Sequence, residues 1–363
     1  MQQPFRILVI NPRTDLTTIG LYENESCIVE KVVLHKETTQ KIAAKEQASV
    51  RKKEILTAVA AEGFNLSKLD AVVARGGLLR PIQGGTYAVD EAMLQDLASG
   101  FGGDHPSNLG GLIANEISAG LHIPAFIVDP VVVDELSSIA RITGLPEISR
   151  RSIFHALGQK AAARKAVREL GLDYEDANLI VVYIGGGITI GAHQQGRVVD
   201  VNNGHAGEGP LSAERAGTLP TGDLISMCFS GAFTKDDMIR KVTKEGGFAA
   251  YLGTSDLAEA ERRVRDGDKQ ARDIYEAMTY QTAKEIAAMA AVLKGKVDAI
   301  VFTGRLDNAS PFLELIENNI SWIADILVFP GEDELASLAE GALRVLQGRE
   351  QAKIYDTGST EGV

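Results

Sequence analysis

Leu179-Ile-Val-Val-Tyr-Ile-Gly-Gly-Gly-Ile-Thr-Ile-Gly-Ala-His-Gln-Gln-Gly-Arg-Val-Val-Asp-Val201 is the stretch from which the fold can be read. An apolar strand reaches Ile184, the chain turns at Gly185, Gly186 and Gly187, and a second strand leads to Gly191. Gln194-Gln195-Gly196 makes another tight turn into a third strand, Arg197 to Val201. The pattern is a strand–turn–strand–turn–strand meander. Glycines at a strand end let backbone N–H groups approach an anion, so such a loop can cradle phosphate. Taken alone, a triple glycine reads equally well as a plain hairpin turn.

An echo near the N-terminus gives the run its meaning. Arg6-Ile-Leu-Val-Ile-Asn11 is a buried-type strand, a polar turn follows from Pro12 to Leu16, and Thr17-Thr-Ile-Gly-Leu-Tyr22 makes the next strand. A turn at Glu23-Asn-Glu-Ser26 leads to a third strand from Cys27. Thr18-Ile19-Gly20 sits in this copy where Thr189-Ile190-Gly191 sits in the other. Two copies of one meander predict a duplicated α/β fold with a cleft between the halves. Phosphate-facing hairpins across such a cleft would suit a nucleotide.

The chain of 363 residues is long enough for two domains with separate cores. Its net charge of −12 argues against general nucleic-acid or anionic-membrane binding, so an anionic ligand needs a local basic cluster. No apolar run is long enough to span a membrane. Cys27 and Cys228 lie in apolar surroundings and read as buried free thiols, which fits a reducing cytosol. The first residues enter a strand directly, with no secretory leader visible, and the expected location is cytoplasmic.

The segment Glu37 to Ala61 has helical period, and Leu69 to Ala74 is a strand ending at Arg75-Gly76-Gly77, which poises Arg75 over the cleft. A helix spans about Asp90 to Ala98, and another, capped by Ser107 or Asn108, runs to about Gly120. The strand Pro124 to Asp129 ends in a carboxylate, a common functional position in α/β folds, and Pro130 to Glu135 continues it. Arg150, Arg151 and His155 mark the domain junction and are candidates for facing an anion, or plain surface charges. A long helix starts at His155 and ends about Leu170, and His193 reads as a satisfied strand histidine. The Gly- and Pro-rich loop from Gly207 to Pro220, with Arg215 at its centre, has the length of a functional loop. Short helices fill Gly222 to Asp273, and a core helix runs from Tyr275 to Leu293. Strands follow at Val297 to Thr303 and Ile326 to Pro330. The last helix opens at Gly331-Glu332-Asp333-Glu334, where its N-terminus is a candidate phosphate or metal–nucleotide holder, and the tail after Lys353 is expected to be disordered.

Taken together, these residues resemble the butyrate kinase family, in the acetokinase branch of the acetate and sugar kinase, heat-shock and actin superfamily. The likeness runs from Arg6 to about Arg349. It rests most on Arg75-Gly-Gly-Leu-Leu-Arg-Pro81, Val128-Asp-Pro-Val-Val-Val-Asp-Glu135, Ser152-Ile-Phe-His-Ala-Leu157 and Asp200-Val-Asn-Asn203. Gly207-Glu-Gly-Pro210, Glu214-Arg-Ala-Gly-Thr218 and Pro330-Gly-Glu-Asp-Glu334 add to it. The resemblance implies two duplicated ribonuclease-H-like, actin-like ATPase domains with a nucleotide cleft between them. These would be residues 1–150, completed by the C-terminal helix 335–355, and residues 151–334. It implies ATP, Mg²⁺, a homodimer, and transfer of the γ-phosphate to a short-chain carboxylate such as butyrate. By that likeness Arg75 and Arg215 hold the substrate carboxylate and the transferring phosphate, with His155 also on the substrate. Asp129 holds metal or orients the nucleophile, and one of Glu332, Asp333 and Glu334 helps hold the metal. Asn11, Thr14, Gly185, Gly186, Gly187, Thr303, Gly304 and Gly331 face the nucleotide.

The departures from the family pattern gather on the same loops. Where the family's first phosphate loop looks like Asn-Pro-Gly-Ser-Thr-Ser-Thr-Lys, this chain reads Asn11-Pro-Arg-Thr-Asp-Leu-Thr-Thr18. Arg13 adds bulk, Asp15 adds a charge that repels phosphate, and Thr18 stands in place of a lysine whose charge Arg13 can supply instead. A histidine position has become Tyr183, the Thr-Gly-Gly near the nucleotide is Thr303-Gly304-Arg305, and Pro106 and Gly158 replace alanine and asparagine. Losing one charge-assisted contact to a transferring phosphate costs roughly 3 kcal/mol, on the order of a hundredfold in rate. The competing expectation is therefore a catalytically impaired paralogue with a binding or regulatory role.

Overall fold

The computed structural model describes residues 3–205, 207–306, 311–331 and 333–356. In chain order the elements are β1 (Arg6–Pro12), β2 (Leu16–Glu23), β3 (Ser26–Leu34), α1 (Ala44–Ala61), β4 (Ala71–Arg75), β5 (Thr86–Ala88), α2 (Glu91–Ser99), α3 (Asn108–Leu121) and β6 (Ala125–Val128). Then come α4 (Ser138–Arg141), α5 (Ala156–Leu170), β7 (Asn178–Ile184), β8 (Ile188–Gln194), β9 (Arg197–Val201), α6 (Thr221–Cys228), α7 (Lys235–Thr243), α8 (Gly247–Leu252) and α9 (Leu257–Arg265). The chain ends with α10 (Lys269–Val292), β10 (Ala299–Gly304), α11 (Pro311–Ile320), β11 (Ile326–Pro330) and α12 (Glu334–Leu346). They form two compact units, Met1–Val133 with Asp333–Val363, and Asp134–Glu332.

Each unit is built on one sheet. In the first the strand order is β3-β2-β1-β4-β6-β5, and in the second it is β11-β10-β7-β8-β9. Read from the meander side, both sheets place two antiparallel hairpins before two parallel neighbours. The repeated tripeptide holds the same register in both. Thr18 pairs with Asn11 and Gly20 with Val9, while Thr189 pairs with Tyr183 and Gly191 with Val181. The irregularity that follows is repeated too, between Leu21 and Tyr22 in one copy and between Ala192 and His193 in the other. A bulge bends and twists a strand in a fixed way, so its recurrence at one register position shows two copies of one unit.

The parallel strands are apolar throughout because helices cover both faces. Leu8, Ile10, Val72 and Ala74 pack under α1 and α3. Ile180, Val182, Ile300 and Phe302 pack under α10 and α11. Among the described residues no helix is long and apolar enough to cross a membrane.

Several local expectations change. Residues 37–61 divide into a 3₁₀ turn at Glu37–Lys41 and α1. Pro130 to Val133 is a hydrogen-bonded turn, not an extension of β6. Neither Ser107 nor Asn108 caps α3: Asn108 accepts from the Leu78 N–H and donates to the Gly103 carbonyl. Residues 354–356 of the tail are held to the first unit, because Tyr355 is buried and donates to Asp96 at 2.7 Å, and the rest of the tail lies outside the described residues. Both cysteines are exposed. Cys27 lies on the edge strand β3, and Cys228 ends α6, a helix with no buried residue.

The sequence reading divided the chain near residues 150 and 334, whereas the compact units divide at Val133/Asp134 and Glu332/Asp333. Segment 134–150 is tied to β9. The Ser137 N–H donates to the Val199 carbonyl, Glu135 accepts from the Val198 N–H at 2.8 Å, and Arg150 pairs with Asp200 at 2.8 Å. Glu135 also pairs with Lys160 of α5 at 3.0 Å, both side chains nearly fully buried. Removing one partner of such a pair leaves a buried, uncompensated charge. Lys160→Ala should therefore cost about 3–5 kcal/mol in urea unfolding, and a cost below about 1 kcal/mol would show that Glu135 does not need its lysine.

Candidate active site

Parallel strands of an α/β sheet present their functional residues at their C-terminal ends. In the second unit those ends belong to β7, β10 and β11. They bring together the Gly185–Gly187 turn, Thr303-Gly304-Arg305 and Gly331. The turn is closed by the Gly185 N–H on the Gly187 carbonyl at 2.9 Å. Its Gly186 carbonyl accepts from Ser212 Oγ at 2.8 Å and from the Glu214 N–H at 3.1 Å, so the long loop carrying Arg215 is fastened to it. Gly304 takes a positive φ of 96° and lies against Ile184, which accepts from the Arg305 N–H at 2.6 Å. The Gly331 N–H donates to the Gly304 carbonyl at 2.9 Å. A cavity of about 390 Å³ opens beside this edge, lined by Gly185, Ala213, Asp256, Glu261 and Arg305 among others. That volume is within the range of small-molecule and cofactor sites.

Arg215 points its Nε at the Gly204 carbonyl, 3.3 Å away, and stands 3.6 Å from the Glu214 carboxylate. It backs directly onto Gly187. His155 sits at the N-cap of α5 without capping it. Its ring stacks on Tyr183 with centroids 4.1 Å apart and planes 12° from parallel, and its Nδ1 meets Thr189 Oγ1 at 3.0 Å. His193 is the satisfied strand histidine expected, fully buried between Tyr174 and Gln159. Burial holds its imidazole well below the usual histidine range, and the charges of Lys160 and Arg164 add to that.

In the first unit the ends of β1, β4 and β6 carry Asn11, Arg75 and Asp129. The Arg75 carbonyl lies against Gly110, so α3 can approach β4 closely only because that residue has no side chain. Asp129 is 1% exposed, has a positive φ of 38°, and accepts from the Gly85 N–H at 2.7 Å. Glu334 joins the other members. It accepts from Arg75 at 2.7 Å and from Asn11 Nδ2 at 2.6 Å, and Arg13 stands 3.6 Å away. Thr14 is exposed, and its carbonyl accepts from the buried Arg51 at 2.7 Å. Sequence reasoning missed Arg51, which also binds the Arg13 carbonyl at 2.7 Å. Its only sequence signal was an arginine on the helix face turned to the sheet.

The three acidic metal candidates separate cleanly. Glu332 lies outside the described residues. Asp333 is spent as the N-cap of α12, accepting from the Ala336 N–H at 2.9 Å, so this helix end is already filled by a carboxylate rather than open to phosphate. Glu334 faces the strand ends. Among the described residues no three His, Cys, Asp or Glu side chains cluster as a metal site. Mg²⁺ seldom needs such a cluster, because it takes one or two protein oxygens with water and phosphate. Glu334 takes donors on both oxygens, Arg75 on one and Asn11 Nδ2 on the other, whereas Asn11 Oδ1 is buried without a hydrogen-bond partner and is an oxygen of the kind such a shell takes.

Residues 146–324 match the family model described as the acetokinase family. Solved structures agree in fold. Acetate kinase from Porphyromonas gingivalis superimposes with a TM-score of 0.79 at 19% identity, over 94% of this chain and 100% of that one. A propionate kinase from Francisella tularensis subsp. tularensis SCHU S4 gives 0.73 at 17%, over 93% and 98%. Acetate kinase from Entamoeba histolytica gives 0.71 at 15%, again over 93% and 98%. The fold is that of the acetate kinases and actin-like ATPases.

Two departures from the family pattern prove to be one. A Cβ on Gly158 would run into the ring of Tyr183. With a tyrosine at 183, residue 158 has to be glycine. Gly158→Asn should lower stability by about 1–3 kcal/mol through overpacking, and Tyr183→His in the same chain should recover most of it. Thermal unfolding of the two single variants and the double variant measures the coupling, and additive effects would show the two sites to be independent.

Proposed function

We propose that this chain, whose residues 146–324 match the family model described as the acetokinase family, is an ATP-dependent carboxylate kinase. The acceptor we assign is a short-chain carboxylate of butyrate type, and the product an acyl phosphate. The observation that carries the reading is the gathering of Gly185–Gly187, Thr303-Gly304 and Gly331 on one strand edge beside a cavity of about 390 Å³. Butyrate as acceptor, a homodimer and a cytoplasmic location follow the family likeness of the quoted segments.

The chemistry asks little of acid–base groups. A carboxylate is already ionised at neutral pH, so no general base is required. It must be placed in line with the phosphorus, and its repulsion from the phosphate must be offset. The glycine turn of the second unit offers backbone N–H groups to phosphate oxygens. Arg215, fastened to that turn through Ser212 and Glu214, supplies a cation there. In the first unit Arg75 is assigned to the substrate carboxylate, and Asp129 to orienting the nucleophile or to the metal shell. Asn11 Oδ1 would offer an oxygen to Mg²⁺, which neutralises phosphate charge when bound. His155 is assigned to the substrate as a hydrogen-bond donor.

A second reading is a paralogue that binds ligands without turnover. It is favoured by Tyr183 in place of a histidine and by Arg13, which brings a second cation to Glu334. Hydroxamate trapping separates the two. Purified protein with ATP and Mg²⁺ is offered butyrate, isobutyrate, propionate and acetate, with Asp129→Asn and Arg215→Ala as controls. Acyl phosphate that is lost by about a hundredfold in both controls supports the kinase. Folded protein that makes none above those controls overturns it.

A further inference from the structure

The segment that follows α12 runs beside β5 like one more strand of the first sheet. β5 is the edge strand, and Tyr87 pairs in parallel with Lys353. The Lys353 N–H donates to the Thr86 carbonyl at 2.8 Å, and the Ala88 N–H donates to the Lys353 carbonyl at 2.9 Å. Side chains add to the pairing. Glu350 Oε1 accepts from the Thr86 N–H at 2.9 Å, while Arg344 holds Oε2 at 2.7 Å. Lys353 Nζ donates to the Gly84 carbonyl, and Thr86 Oγ1 donates to the Gly341 carbonyl of α12 at 3.1 Å. Tyr355 pins the far end of the segment, donating to Asp96 at 2.7 Å and accepting from the Arg80 N–H at 3.1 Å.

Gly85 lies between these held residues and is bonded to Asp129 twice. Its N–H donates to Asp129 Oδ1 at 2.7 Å, and its carbonyl accepts from the Asp129 N–H at 3.1 Å. Gly85 takes a φ of 134°, which residues with a side chain rarely adopt, and another glycine precedes it. Two glycines in a row lose the most backbone freedom on folding, so such a loop does not hold a direction by itself. Here the C-terminal segment holds it on both sides: Lys353 takes Gly84, and Glu350 and Lys353 take Thr86. A Cβ on Gly85 would come within 3.0 Å of Lys353 Cε and 3.2 Å of Glu350 Oε1, so the segment also closes over the loop. We propose that residues 350–355 form a strap that positions Asp129 through Gly85, with Glu350 and Lys353 as its positioning residues. The strap stands on geometry alone, and only its use in turnover rests on the kinase reading above, which gives Asp129 the nucleophile or the metal shell.

Amide hydrogen exchange on the full-length protein, followed by mass spectrometry of the peptides carrying Gly85 and Asp129, reads the strap directly. Lys353→Met keeps the stem but removes the donor to Gly84, and Glu350→Ala removes the acceptor for Thr86. Each should speed exchange at Gly85 and Asp129 about tenfold and leave β4 as in the wild type. Unchanged exchange at Gly85 and Asp129 in both variants, or a rise that β4 shares equally, would overturn the inference. In the acyl phosphate assay, Lys353→Met should lose about tenfold in turnover, as expected for one charge-assisted hydrogen bond, and nothing further when added to Asp129→Asn. Losses that multiply in the double variant would show that Lys353 does not act through Asp129. No turnover in the wild type, with the exchange pattern as expected, would sink the kinase reading while supporting the strap.

Discussion

The ion pair between Arg75 and Glu334 ties α12 to the end of the first unit's sheet that carries the candidate site residues. Arg75 ends β4 and Glu334 opens α12, 259 residues later in the chain, and they meet at 2.7 Å. Asn11 from β1 bonds the same carboxylate at 2.6 Å. A charge-assisted, partly buried contact of this kind is stronger than a surface pair and fixes direction as well as distance. It selects which acid at the start of α12 faces the strand ends. Asp333 spends its carboxylate on its own helix, and Glu334 is left to turn inward. The C-terminal helix is thus part of the candidate site and not only a cover for the sheet.

Much of this architecture was legible in the sequence, for a definite reason. Strand period and glycine turns are local signals, and Thr-Ile-Gly recurs at the same register in both sheets, so the duplication could be read from a few residues. Strand ends also announce themselves: Arg75, Asp129 and Gly185 each follow an apolar run and stand where a parallel strand stops. What stayed hidden depends on distant partners. The tie of Glu135 to Lys160 and Val198 moves the unit boundary to Asp134, and no local pattern marks it. Tyr355 looks like part of a polar tail until Asp96 is found beneath it. Cys27 has apolar neighbours along its strand, but an edge strand exposes one of its faces.

The departures from the family pattern change meaning once they are placed in space. Read along the chain, Tyr183 and Gly158 are two unrelated losses. In the structure one ring fills the space that the other residue vacates, so together they are a single repacking. Arg13 behaves similarly. It does not project bulk into a closed loop: its backbone carbonyl is held by Arg51, while its guanidinium stands half-exposed near Glu334. Several of these apparent lesions are therefore accommodated changes. Accommodation explains why the fold persists, but it does not by itself preserve a rate.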